Sequence, residues 1–144
     1  MADVRHCASS NVIILPESLK VMRNTFFSHL RKQKDVVLPE GLQILEQWFK
    51  DSEIERVTIP ASVREIGPDA FRNCTCLKRV TLASGSTLEK IGPSSFYGAG
   101  IERIVISKNV KEIQDAAFWY CKNLKEVVFE AESVLKIIGK YAFC

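Results

Sequence analysis

The sequence predicts a repeat solenoid, a fold in which short coils of similar sequence stack along one axis. Five phenylalanines recur at intervals of 22, 25, 22 and 25 residues, at Phe49, Phe71, Phe96, Phe118 and Phe143. An apolar pattern of the form Ile-x-x-Val-x-Ile recurs in step with them, starting at Ile54, Leu77, Ile101 and Leu124. Internal periods of roughly 20–50 residues are typical of solenoids. Partial copies at Ile13 and Val36 extend the array to about six coils over residues 12–144.

Each coil is predicted to contain one short β-strand. In Val80-Thr81-Leu82 the apolar side chains alternate with a polar one, which is the pattern of a strand with one buried face. A turn that contains Pro, Ser or Gly follows such strands, as in residues 60–63 and 83–87, and these residues favour tight turns. Alternate coils carry two extra residues in this turn, which are predicted to form loops at one edge of the solenoid.

A short helical turn is predicted around the phenylalanine of each coil. Gly-Pro pairs precede Phe71 and Phe96 by a few residues, with prolines at Pro68 and Pro93. Proline is favoured at a first helical position because its missing N–H would have no partner there. The phenylalanine is then expected to fill the core of its coil, and stacking of neighbouring coils would bury one continuous core.

Composition predicts a packed domain without membrane insertion. The chain has 144 residues, of which 47% are hydrophobic and 26% charged, and its net charge is +3. No apolar run approaches the roughly 20 residues that cross a bilayer, and residues 1–20 lack the basic start and long apolar stretch of a secretion signal. Residues 1–11 are predicted to form a polar tail or cap. The basic run His29–Lys34 has no second basic segment to support it, so no nucleic-acid partner is expected.

The cysteines and histidines do not predict a disulfide framework, a metal site or a catalytic centre. Five cysteines form no regular pairs, and Cys74 and Cys121 occupy equivalent places in two coils, where thiols act as small apolar groups. The lone Cys74-x-Cys76 pair falls short of a zinc pattern. Phosphate-binding glycine motifs are absent from the sequence. We therefore expect a protein without enzymatic activity and without a metal or other cofactor.

The repeat resembles the BspA-like class of leucine-rich repeats. The pattern Ile-Pro-x-Ser-Val-x-x-Ile-Gly-x-x-Ala-Phe-x-x-Cys-x-x-Leu-x-x-Val begins at Ile59 and recurs with losses in residues 82–104 and 106–127. The resemblance implies a leucine-rich-repeat α/β horseshoe, with one strand and one helical turn per coil of 22–25 residues. It also implies a surface or secreted protein that binds other proteins in adhesion. The absence of an export signal points instead to the cytoplasm, so the location stays open.

The exposed strand positions form two columns, which are the first candidate site. One column contains Asp35, Arg56, Arg79, Arg103 and Glu126, and the other contains Val37, Thr58, Thr81, Val105 and Val128. Three arginines stacked about 5 Å apart repel one another unless acidic groups lie across them. They would form a basic stripe on the concave face, suited to an acidic protein segment or to a sulfated or phosphorylated group. Alternatively, the face is merely solvated and the arginines pair with Glu55, Glu102 and Glu126.

Aromatic residues form a second candidate surface. Tyr97 and Trp119 each follow a core phenylalanine, so they are predicted to be neighbours, with Tyr120 close by. Exposed aromatic side chains are favoured anchors at interfaces. Alternatively, these rings fold back over the helical turns and only extend the core.

The last coil offers a third surface, for self-association. Apolar residues of this coil have no following coil in the sequence to cover them: Ile137, Ile138, Tyr141 and Phe143. Either the chain belongs to a longer array, or two copies meet through this end in a homodimer. The leading interpretation is a protein-binding module that uses its concave face, and the alternative is a structural unit that assembles with itself.

Overall fold

The computed structural model describes residues 12–19, 26–29 and 34–144, with only the backbone of His29. The predicted tail, residues 1–11, and most of the basic run that ends at Lys34 lie outside these residues. The described residues form a 3₁₀ helix at Phe26–His29 and eleven short strands. The strands are β1 Val12–Ile14, β2 Asp35–Val37, β3 Ile44–Leu45, β4 Arg56–Ile59, β5 Glu65–Ile66, β6 Arg79–Leu82, β7 Lys90–Ile91, β8 Arg103–Ile106, β9 Glu112–Ile113, β10 Glu126–Phe129 and β11 Ile137–Ile138.

The chain is a solenoid of parallel strands with about five turns, and each full turn has two strands rather than the predicted one. The longer strands form the first sheet, in the order β1-β2-β4-β6 followed by the separate pair β8-β10. The two-residue strands form a continuous second sheet, in the order β3-β5-β7-β9-β11. The sequence does not predict the second strand, at Glu65–Ile66 and its equivalents. Two residues are too few for the alternation that predicts a strand.

The predicted helical turns are wrong: the described residues contain no α-helix. The amides of Asp69, Phe71 and Asn73 donate to carbonyl oxygens of the next coil at 2.6–3.1 Å, and the amides between them donate three residues back. The same alternation recurs around Phe96 and Phe118. A helix would need every amide to bond within its own turn. Asp69 and Asn73 have φ of 57° and 59°, in the left-handed region that a helix does not use.

The core is a stack of phenylalanine rings along the solenoid axis. Neighbouring ring centroids lie 4.5–5.1 Å apart with planes within 13° of parallel, in the order Phe27, Phe49, Phe71, Phe96, Phe118 and Phe143. This spacing matches the roughly 4.8 Å between paired strands, so the rise from one coil to the next determines the distance between neighbouring rings. Phe27 was missed by the sequence analysis, although it lies 22 residues before Phe49.

The longer turns of alternate coils form loops, as the sequence predicts. In the turn after β6, Gly85 is exposed with φ of 74°, and Glu132 occupies the same place after β10 with φ of 60°. Gly67, after β5, has a different role because a Cβ there would lie 2.7 Å from the carbonyl oxygen of Leu45. Close backbone approach between coils therefore requires glycine at that position.

Candidate protein-binding face

The predicted arginine column lies in register on the exposed face of the first sheet. Asp35 pairs with Arg56, which pairs with Arg79, and Arg103 pairs with Glu126. Along β4, Arg56 and Thr58 are exposed while the alternate residues Val57 and Ile59 are buried. The strand period thus directs every second side chain to solvent. The second predicted column, from Val37 to Val128, lies beside the first on the same face.

Two of the three arginines in this column are paired with carboxylates. Arg56 makes a two-point contact with Asp35, with Nη2 2.9 Å from Oδ2. Hydrogen bonding from that guanidinium lowers the pKa of Asp35. Arg103 Nε lies 2.6 Å from Oε2 of Glu126. Such pairs fix the two outer arginines on the sheet surface.

Arg79, between them, is exposed and has no acidic partner among the described residues. Of the carboxylates considered as alternative partners, Glu55 bonds Lys34 at 3.0 Å and Glu102 lies 4.0 Å from Lys125. Of the three glutamates Glu55, Glu102 and Glu126, only Glu126 pairs with an arginine of the column. The pairing of the arginines with these glutamates, expected in the alternative interpretation, is therefore found for Arg103 and is wrong for Arg56 and Arg79.

A cleft opens beside Arg79. The first sheet is interrupted between β6 and β8, and a cavity of about 710 Å³ lies there. Its lining residues are Lys78, Arg79, Val80, Thr81, Leu82, Glu102, Arg103, Val105 and Glu130. A volume of this size is typical of ligand sites in proteins. The cleft brings together predicted site residues from two strands.

The aromatic residues cluster as predicted, on the turn side of the solenoid. Tyr97 contacts Trp119 edge to face at 5.7 Å and stacks on Tyr120 at 6.1 Å between ring centroids. Arg72 lies over the Tyr97 ring at 4.5 Å, and Lys122 lies over Tyr120 at 5.0 Å. These cations and the stacking occupy ring faces, so the cluster mainly offers its edges to a partner.

The last coil exposes the apolar residues that were assigned to self-association. Ile137, Ile138, Tyr141 and Phe143 are 51%, 54%, 61% and 39% exposed. By contrast, Ile113, the register partner of Ile138 in the previous coil, is fully buried. Each coil is thus covered by the next one, and these four residues present the uncovered face.

The thiols of Cys74 and Cys121 are weak nucleophiles, because burial keeps them protonated. Burial raises the pKa of Cys74 to about 12 and that of Cys121 to about 11. Their Sγ atoms donate to the carbonyl oxygens of Phe49 and Phe96 at 2.8 and 3.0 Å. Cys76 and Cys144 are also free thiols. Three or more potential metal ligands do not cluster anywhere in the described part of the chain.

No helix within the described ranges has the length and apolar character needed to span a membrane.

Three solved structures have folds similar to that of this chain. The pneumococcal vaccine antigen PcpA matches with a TM-score of 0.71 and 25% identity, over 76% of this chain and 32% of the antigen. A leucine-rich repeat protein from Bacteroides ovatus matches with a TM-score of 0.68 and 26% identity, over 88% of this chain and 39% of that protein. A leucine-rich repeat protein from Eubacterium ventriosum, at 19% identity and a TM-score of 0.55 over 83% and 38%, shows similarity of fold alone.

This chain spans 32–39% of the lengths of those three proteins. None of the curated proteins matches its sequence. Residues 43–144 match the family model of the BspA type leucine rich repeat region, in six copies. These residues are more than half of the chain, and their period, strands and phenylalanine stack are those described above. The chain belongs to the BspA-type leucine-rich repeat family.

Proposed function

We propose that this chain is a non-enzymatic module of the adhesion type that binds another protein through the exposed face of its first sheet. The observation that carries the proposal is Arg79, an exposed arginine with no carboxylate partner among the described residues, at the centre of a face whose other two arginines are paired. Around it, Thr58 and Thr81 are exposed and small. These small side chains beside the arginine leave room for groups of a partner protein to approach it.

The similarity to a pneumococcal vaccine antigen and the family membership support a surface or secreted location in the same proposal. The aromatic edges of Trp119 and Tyr120 supply a second contact area on the turn side. A nucleic-acid ligand is not favoured, because the net charge is only +3 and a carboxylate stands at each end of the arginine column, Asp35 and Glu126.

The test is selection of peptides from a phage library of random 12-residue sequences on the wild-type chain. Selected peptides are then measured against the double variant Arg79→Glu with Arg103→Glu. The matched control is Arg64→Glu with Lys136→Glu, which makes the same charge change at two exposed positions next to the second sheet. We expect most selected peptides to bind the wild type and the control and to lose binding to the first variant. Equal binding to all three proteins would overturn the proposal.

The second candidate function is self-assembly, favoured by the uncovered face of the last coil. We propose that a second copy of the chain packs on Ile137, Ile138, Tyr141 and Phe143 in a homodimer. Light scattering over a range of concentrations should then show a dimer, and Ile138→Asp should convert it to a monomer. Ile14→Asp is the matched control, because Ile14 is 70% exposed on the first sheet, away from the last coil. A wild-type monomer at all concentrations would reject this candidate.

A further inference from the structure

The interruption of the first sheet is confined to one side of one pair of coils. In the two preceding pairs of neighbouring coils the first sheet is joined at this position. The amide of Arg56 donates to the carbonyl oxygen of Lys34 at 3.0 Å, and the amide of Arg79 donates to the carbonyl oxygen of Glu55 at 3.2 Å. Throughout residues 34–144, no corresponding bond joins the amide of Arg103 to Lys78.

The same two coils stay joined on their other two sides. The second sheet is continuous from β7 to β9, and in the turn ladder the amide of Phe96 donates to the carbonyl oxygen of Ala117 at 2.7 Å. The opening between β6 and β8 is therefore a local gap in a closed solenoid rather than a break between two halves.

The gap leaves backbone groups of both strands without strand partners. Successive residues of a parallel strand direct their N–H and C=O groups to opposite neighbours. The amide of Arg79 donates to the carbonyl oxygen of Glu55, on the side of β4. The N–H and C=O groups of the alternate residues Val80 and Leu82 therefore point the other way, into the cleft. Arg103 and Val105 do the same from β8. Unpaired strand edges of this kind form hydrogen bonds with polar groups of a binding partner.

Cationic side chains outnumber acidic side chains in the lining of the cleft. Lys78 and Arg79 are exposed, and within the described ranges neither has an ion-pair partner. Arg103 is the third cation, and its guanidinium is already bound to Glu126. The mutual repulsion of unpaired cations that line one cleft is relieved when an anion binds between them.

The two carboxylates that line the cleft do not balance these cations. Glu102 lies 4.0 Å from Lys125 on the far side, toward β10. Glu130 accepts a hydrogen bond from the backbone amide of Lys108 at 2.9 Å. Glu102 is thus drawn to a cation outside the cleft, whereas Glu130 keeps its negative charge, because a bond from a neutral amide does not balance it. Lys78 and Arg79 together exceed that one negative charge, so the charge left for a ligand is positive.

We propose that the cleft between β6 and β8 binds a carboxylate side chain from an acidic segment of a protein partner. Arg79 supplies the planar fork that matches a carboxylate, Lys78 supplies a second cation, and the backbone amide of Arg103 supplies a further donor. This inference rests on the proposed function, of which it specifies the position of the contact and the chemistry of the partner.

The test uses a fluorescein-labelled hexaglutamate peptide, with hexalysine and a Gly-Ser hexapeptide as specificity controls, in fluorescence anisotropy at low and moderate salt. Affinity is measured for the wild type, Arg79→Gln and Lys78→Gln. The matched control is Arg64→Gln, which removes the same charge at an exposed arginine beside β5. Circular dichroism melting confirms that each variant is folded.

We expect hexaglutamate to bind the wild type and Arg64→Gln alike, and Arg79→Gln to weaken binding at least tenfold. Equal losses in Arg79→Gln and Arg64→Gln would show general attraction to a positive protein and overturn the inference, as would failure of the wild type to bind. The peptide selection separates this result from the proposed function. Selected peptides that need the first-sheet face but contain no acidic residue would uphold the function and reject the carboxylate site.

Discussion

Arg103 and Glu126 occupy paired positions on β8 and β10, and their side chains are joined by a 2.6 Å hydrogen bond although both are 56% exposed. The pair fixes Arg103 against the strand on one side of the cleft. Arg79, on the other side of the cleft, has no such partner in the described part of the chain. The difference between these two arginines makes the face asymmetric, and it concentrates the free positive charge on β6.

Glu126→Gln should release Arg103 and strengthen the binding of anions in the cleft. The free energy of unfolding should fall by less than about 1 kcal/mol, because exposed ion pairs contribute little to stability. Anisotropy with labelled hexaglutamate should show tighter binding than to the wild type. Urea denaturation gives the stability of the same variant. Unchanged affinity would mean that Arg103 does not face the ligand even when it is free.

Ser95→Ala should stabilise the protein. The Oγ of Ser95 is buried and has no hydrogen-bond partner among the described residues, whereas alanine stands in the same place before Phe71 and Phe118, at Ala70 and Ala117. Removing a buried hydroxyl without a partner should raise the free energy of unfolding by about 1 kcal/mol. Urea denaturation is the measurement.

Ser52 provides the control for this prediction. It is also buried, but its Oγ lies 3.5 Å from Sγ of Cys74, so Ser52→Ala should not stabilise the protein. The reverse change Ala70→Ser should be destabilising, because it places a hydroxyl at the position equivalent to Ser95. A stabilising effect of Ala70→Ser would contradict this reading of the position.

Gly85→Ala and Gly100→Ala should destabilise the protein for different reasons and by different amounts. Gly85 has φ of 74° with nothing near its added Cβ, so the cost is that of a left-handed alanine, about 1 kcal/mol. A Cβ on Gly100 would lie 2.1 Å from the carbonyl oxygen of Thr75, so two backbones must separate, at about 3 kcal/mol or more. Midpoints of urea denaturation should rank wild type, Gly85→Ala, Gly100→Ala. The opposite order of the two variants would contradict the packing of coils at Thr75.

Alkaline pH should weaken the fold through its buried thiols. The pKa of Cys74 rises from 9.0 to about 12 in the folded state because the thiol is buried. The stability that this thiol contributes is fully present below pH 9 and is lost as the pH rises from 9 toward 12, since only the unfolded chain ionises there. Urea denaturation at pH 8 and pH 10.5 should show a smaller loss for Cys74→Ala than for the wild type.

Cys144→Ala is the control for the alkaline effect, because Cys144 is exposed. This variant should lose as much stability between the two pH values as the wild type does. If Cys74→Ala and Cys144→Ala behaved alike, the ionisation of Cys74 would not contribute to the alkaline loss.

The repeat, the strand register and the core could be predicted from the sequence because each depends on local alternation and on a fixed period. The alternation in Val80-Thr81-Leu82 predicts a strand, and the regular spacing of Phe71 and Phe96 predicts that their rings lie one above the other. The turn around each phenylalanine was not predictable in the same way. Pro68 is compatible with a helical start, and the sequence does not reveal that the amide of Phe71 donates to Ser95 in the next coil.

The candidate site was predictable as a column of residues but not as a cleft. Period-two alternation places Arg56, Arg79 and Arg103 on one face whatever the pairing of their strands. Which arginine is free depends on the carboxylates nearby in three dimensions, and the sequence does not show that Asp35 is the partner of Arg56. The gap between β6 and β8 arises from how two whole coils pack, which the residues of either strand do not encode locally.

Amide hydrogen exchange, resolved by residue in NMR spectra, shows directly whether the first sheet has a gap between β6 and β8. We expect slow exchange for the amides of Arg56 and Arg79, whose hydrogen bonds join neighbouring strands. We expect fast exchange for the amide of Arg103, which faces the cleft, and slower exchange at that amide when hexaglutamate is added. If the amide of Arg103 exchanged as slowly as that of Arg79 without any ligand, the first sheet would be continuous in solution, and there would be no cleft.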